Sequence, residues 1–131
     1  MINLGALKPG NRVMVENEGV WMPGTVTGVN ADDGGQIEVE TGVQQQWYEI
    51  EEVAAIPLSD EQMTLLGFEK EVMESGNIKY KHGPFRVLVS PKAQFTDFLM
   101  WYREEKCHIT YSMTVHQFQN RYEEMVKIPI G

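Results

Sequence analysis

At 131 residues, with 42% hydrophobic and 23% charged side chains, the chain is sized for one domain or two small subdomains and is too apolar for disorder. Its net charge of -8 is uneven: residues 1–57 hold two basic against nine acidic side chains (net -7), and residues 58–131 hold nine against ten (net -1). A phosphate backbone is repelled by the first half and roughly ignored by the second, which speaks against direct nucleic-acid binding.

The first 57 residues are punctuated as short strands. In "LKPGNRVMV", Pro9 and Gly10 stand where a type II turn wants them, and a strand starts at Arg12. "EGVWMPG" reads as a loop with an apolar run around Trp21. "GTVTGVN" alternates through Val26 and Val29, with Gly28 marking a bulge or bend. "ADDGG" is a polar hairpin loop, after which "QIEVET" turns Ile37 and Val39 inward and Glu38 and Glu40 outward. "QQWYEI" and "EVAAIP" supply two further strands. Five short strands joined by tight turns predict an SH3-like β-barrel over residues 1–57.

"PLSDEQMTLLGF", residues 57–68, carries the start and stop signals of a short helix. Ser59 is the N-cap, Gln62 completes a capping box, and Leu58 with Met63 makes a hydrophobic staple. Gly67 takes the left-handed position after the last turn, with Phe68 folding back onto Met63. A helix this short does not stand alone in water, so it must lean on a core. "NIKYKHGPFRVLVS" then alternates on both sides of "HGP", and "TDFLMWYRE" with "CHITY" forms a second hairpin around "EEK". In "TVHQFQNRYEEMV", Val115, Phe118, Tyr122 and Met125 share one helical stripe, expected to pack on the meander. Thr114 and Gln117 repeat the capping box, and Pro129 ends any continuation. The prediction is an α+β chain, in which residues 58–131 form an antiparallel β-meander with one short and one longer helix.

None of the three histidines has zinc-site spacing, and adjacent Cys107 and His108 point to opposite faces of a strand. No metal or cofactor is expected. The single cysteine, Cys107, excludes an internal disulfide and suits a reducing cytoplasm. No apolar run approaches the ~20 residues of a membrane span, and the N-terminal stretch lacks the basic and apolar regions of a signal peptide. Cys107 as a nucleophile would need a base, and His116 is the candidate, so a cryptic hydrolase stays open as an alternative. The adjacent glutamate pairs read as solvated charge, and "DDGG" puts acids where a phosphate would sit. In the barrel half, Trp21, Trp47 and Tyr48 either fill a small core or recognise a partner.

"GNRV", "IPLSDEQMTLLGFEK" and "VHQFQNRYEEM", in that order, resemble a group of small uncharacterised proteins found in phages, prophages and mobile elements of Bacteroidetes. That group shows an early "GN-x-V", a central "I-P-L-T-E-E" leading to "GF", and a terminal "VHQLQN-x-Y". Here Ser59 and Asp60 replace the Thr-Glu pair, Phe118 replaces a leucine, and the tail after the tyrosine differs. The resemblance implies a phage or mobile-element context and carries no catalytic residue or ligand. The polar side chains of the last motif, including Gln119 and Asn120, can bond to nearby strands or to a partner. The expectation is a cytoplasmic, non-catalytic protein-binding module whose partner residues are Trp21, Trp47, Tyr48, Gln119 and Asn120. The alternative to it, besides the hydrolase, is an acidic mimic that occupies a host protein's nucleic-acid-binding surface.

Overall fold

A computed structural model describes residues 2–131. The chain is α+β, mostly antiparallel sheet with two α-helices. It divides into two compact units: Met1–Ile56 with Thr114–Asn120, and Pro57–Met113 with Arg121–Gly131.

The first unit holds β1 (Arg12–Asn17), β2 (Val20–Asn30), β3 (Gln36–Glu40), β4 (Gln45–Glu49) and β5 (Val53–Ala54), in the order β4-β3-β2-β1-β5. The turn before β1 is as predicted: the Asn11 N–H donates to the Lys8 carbonyl at 3.1 Å, and Gly10 has φ +97. The expected loop at Trp21 is instead strand, since Trp21 in β2 pairs with Glu16 in β1. Glu18 and Gly19 are both at positive φ, the backbone signature of a type I′ hairpin turn. Glu-Gly is an uncommon pair for that turn, and a proline is disfavoured inside a sheet. The sheet accommodates Pro23 because β3 reaches only as far as Thr25, leaving residues 20–24 to pair with β1 alone. The bulge at Gly28 is present, the register passing from Val26↔Val39 to Gly28↔Glu38. Inward residues Val13, Val15, Val26, Ile37, Val39 and Tyr48 form the core with neighbours outside the strands.

The second unit is a meander: β6 (Glu69–Val72), β7 (Ile78–His82), β8 (Phe85–Val89), β9 (Phe98–Tyr102) and β10 (Glu105–Ile109) pair in sequence order. The edge strand β6 was illegible in the sequence, because "EKEV" is exposed at every position and shows no alternation. Before it lies α1 (Asp60–Leu65). The Ser59 hydroxyl accepts from the Gln62 N–H at 3.2 Å, but the return arm of the box is not made, and Gln62 Oε1 is buried without a partner. The stop signal is as read: Gly67 has φ +95, its N–H donates to Thr64 O, and the Phe68 N–H reaches back to Met63 O, both at 3.0 Å. One sheet face is buried through Tyr80, Phe85, Val87, Val89, Phe98 and Met100. Phe85 packs on Tyr122 with ring centroids 4.7 Å apart.

The last helix, α2 (Val115–Val126), contributes Thr114–Asn120 to the first unit and its remainder to the second. Val115, Phe118, Tyr122 and Met125 are all buried, as the stripe predicted. Its capping box is again half made: Gln117 Oε1 accepts from the Thr114 N–H at 2.9 Å, while the Thr114 hydroxyl lies 3.2 Å from His116 Nδ1. Among the described residues no helix is long and apolar enough to cross a membrane.

Candidate functional site

Gln119 and Asn120 face the N-terminal backbone of their own unit. Gln119 is 3% exposed; its Oε1 accepts from the Arg12 N–H at 2.8 Å and its Nε2 donates to Gly10 O at 3.0 Å. Asn120 Nδ2 donates to Ala6 O at 2.8 Å, and its Oδ1 accepts from Asn11 Nδ2 at 2.9 Å. Asn11 in turn accepts from the Lys8 N–H through Oδ1 at 2.9 Å. "GNRV" and "VHQFQN" are therefore two halves of one hydrogen-bonded latch. Both amides are engaged within the unit, the first of the two roles expected of them. Tyr48 takes the core role of its two readings: it is 1% exposed, and its hydroxyl meets Gln44 Nε2 at 3.4 Å.

The two tryptophans of the first unit stand outside. Trp21 is 44% and Trp47 46% exposed, on the sheet face opposite the core. Alternation sends Gln36, Glu38 and Glu40 of β3, and Gln45, Trp47 and Glu49 of β4, to that face. Trp47 pairs with Glu38, and its ring lies over the bulge glycine, where a Cβ on Gly28 would stand 3.2 Å from Cη2. Thr27 Oγ1 donates to Glu38 Oε1 at 3.0 Å, and Gln36 Nε2 donates to Glu49 Oε1 at 3.0 Å, so these acids are held in place around the indole. Glu16 lies on the same face beside Trp21. The result is an exposed aromatic ringed by carboxylates, suited to a cationic partner.

A second face went unnoticed in the sequence. The outer side of the meander carries two rows across the strands, Lys81–Arg86–Trp101–Lys106 and Lys79–Leu88–Leu99–His108. Four permanent cations thus surround an apolar centre. The signal lay in the positions between the inward residues, where basic side chains stand on β7 and β8, skip β9 and return on β10. Leu88, Leu99, Trp101 and Lys106 line a cleft of about 260 Å³ there. Lys81 is countered by Glu71 at 3.0 Å, and His108 by Asp97 at 2.7 Å. The Glu71 carboxyl sits below the usual carboxylate range, chiefly through its hydrogen bond from Lys81. The Arg86 guanidinium donates to the carbonyls of Gly83 and Phe85.

Cys107 and His116, the residues of the hydrolase alternative, fall in different units. Cys107 Sγ accepts from the Arg121 guanidinium at 3.3 Å. Burial holds the His116 imidazole below the usual histidine range. Among the described residues no group of three or more His, Cys, Asp or Glu side chains could hold a metal. A cavity of about 350 Å³ does bring Asp60, Lys70 and Tyr80 together. There the Tyr80 phenol donates to Asp60 Oδ1 at 2.7 Å, and Lys70 Nζ lies 3.1 Å from the same oxygen. Burial first, and the Asp60 carboxylate second, push the Tyr80 hydroxyl above its ordinary range. The hydrogen bonds from Tyr80 and Lys70 hold Asp60 low. Tyr80 therefore stays protonated as a tether, the opposite of an activated phenolate.

Comparison of the chain with family models, characterised proteins and solved structures finds no significant match in any of the three.

Proposed function

We propose that the chain is a non-catalytic protein-binding module of the phage and mobile-element kind, acting in the cytoplasm, with an SH3-like barrel as its first unit. The strand order β4-β3-β2-β1-β5, with a 3-10 turn at Ile50–Glu52 before the short last strand, supports the barrel reading. The carrying observation is Trp47, 46% exposed and bordered on its face by Glu38, Glu40 and Glu49. An aromatic anchor amid anions favours a protein surface rich in Lys and Arg. The test is capture from a bacterial lysate on immobilised wild type and on Trp47→Ala. Proteins held by wild type in ~0.15 M salt, released in ~1 M salt and missing from the variant are expected. Identical capture by both would remove the support that Trp47 gives.

A second reading has its own observation. Glu16, Glu38, Glu40 and Glu49 share one face with Arg12 as the sole base in the strand register there. Carboxylates gathered on one face favour the nucleic-acid mimic over simple solubility. It predicts that captured proteins are nucleic-acid binders displaced by added duplex DNA.

A further inference from the structure

We infer that the acidic outer face of the first sheet and the basic outer face of the second are the two sides of one contact, through which copies of this chain associate. This rests on the protein-binding reading and names its partner as a second copy. Trp47 on one copy seats in the cleft of Leu88, Leu99, Trp101 and Lys106 on the other. The cleft, about 260 Å³, has room for one large side chain, and Trp47 is the exposed aromatic that the acidic patch surrounds. Around that plug the charges are opposite: Glu38 and Glu49 flank the indole, while Lys106 lines the cleft and Lys79 stands beside Leu88. Both faces are open in the chain itself, Leu99 being 41% exposed. Charges in contact are screened little by salt, whereas the overall -8 of each copy acts over longer distances. With a screening length of about 8 Å at physiological salt, the repulsion is damped more than the contact. Seating in both directions closes a pair, and seating in one direction builds an open chain.

A single-stranded nucleic acid fits the basic face less well. The apolar centre is an aliphatic-walled cleft with one ring, whereas base stacking wants several exposed rings.

The test is sedimentation of the full chain from micromolar to millimolar protein, at ~0.15 M and ~1 M salt. Association in the lower salt and dissociation in the higher are expected. Trp47→Ala should weaken it at least about 30-fold, as for a central aromatic anchor. The double variants Glu38→Lys/Glu40→Lys and Lys79→Glu/Lys106→Glu should each sediment as monomers with unchanged circular dichroism. Their equimolar mixture should regain the complex, since each then offers the face the other needs. A wild-type chain monomeric throughout overturns the inference, as does association indifferent to Trp47→Ala. A single-stranded oligonucleotide retained by wild type and lost from Lys79→Glu/Lys106→Glu also overturns it, by giving the basic face to nucleic acid. A monomer that still captures lysate proteins through Trp47 sinks self-association alone and leaves the binding module standing.

Discussion

Gln119 shows how much one side chain can hold. Removing it takes the partner from the Arg12 N–H and from the Gly10 carbonyl, two part-buried hydrogen bonds lost with one buried side chain. Gln119→Ala should therefore cost about 1–3 kcal/mol, the range for a buried polar group left unsatisfied. Denaturant unfolding reads this directly, and a loss within error of zero would show that the latch is open in solution. Gly24 makes the complementary case, a place where nothing can be added. A Cβ there would run into the Val39 side chain and come within 3.0 Å of the Glu40 carbonyl, so Gly24→Ala should destabilise by about 1–3 kcal/mol through overpacking. An unchanged midpoint would mean the sheet yields at that point. The sequence singled out Gln119 and Asn120 as hydrogen-bonding residues but could not say with what. Their partners lie more than 100 positions away along the chain, and no local pattern carries that distance.

The two helices and the ten strands were legible to very different degrees. Where a signal is local, as in the turn at Pro9–Gly10, the bulge at Gly28 or the Gly67 stop, the sequence held it in full. The capping boxes were half legible, because donors three residues apart can always be drawn as reciprocal, while packing decides which arm closes. In α1 the closed arm is the hydroxyl of Ser59, so Ser59→Ala should cost about 1 kcal/mol. Urea denaturation checks it, and an unshifted curve would place the start of the helix elsewhere. In α2 the stripe was right, but its allegiance was not visible: Phe118, expected on the meander, belongs to the stretch that groups with the first unit. Phe118 is fully buried, so Phe118→Ala should cost about 3–5 kcal/mol. A melting temperature unaffected by that change would turn the stripe outward. The basic face escaped notice because it exists only once the strands are in register, which no single strand specifies.

At the scale of the molecule, charge and its titration set the behaviour. Burial depresses the His116 pKa, so the unfolded chain binds a proton more readily than the folded one as pH falls below about 6.5. The stability that neutral His116 permits is thus complete above that pH and drains away as pH falls through its lowered folded value. The melting temperature should be level from pH 8 to about 7 and decline below about 6.5, and His116→Leu should flatten that part of the curve. An equal decline in the variant would assign the loss to other groups. Asp60, also lowered, adds its own loss only at more acid pH, below the unfolded carboxyl range. Because the cations of the second sheet stand among Glu71 and Asp97 and the first half carries -7, the chain should not retard duplex DNA at physiological salt. Retardation that fades as salt rises would reverse this. The latch between Gly10–Arg12 and Gln119–Asn120 has a further consequence, in the order of events at the ribosome. Synthesis runs from the N-terminus, yet the Arg12 N–H and the Gly10 and Ala6 carbonyls meet these partners only once residue 120 has emerged, by which time β6 through β10 are already made. The long loop must close last, and loop closure of that length is slow relative to hairpin formation. The first unit is therefore the latest to be finished, and a nascent segment ending before Val115 should leave its Arg12 amide open to hydrogen exchange.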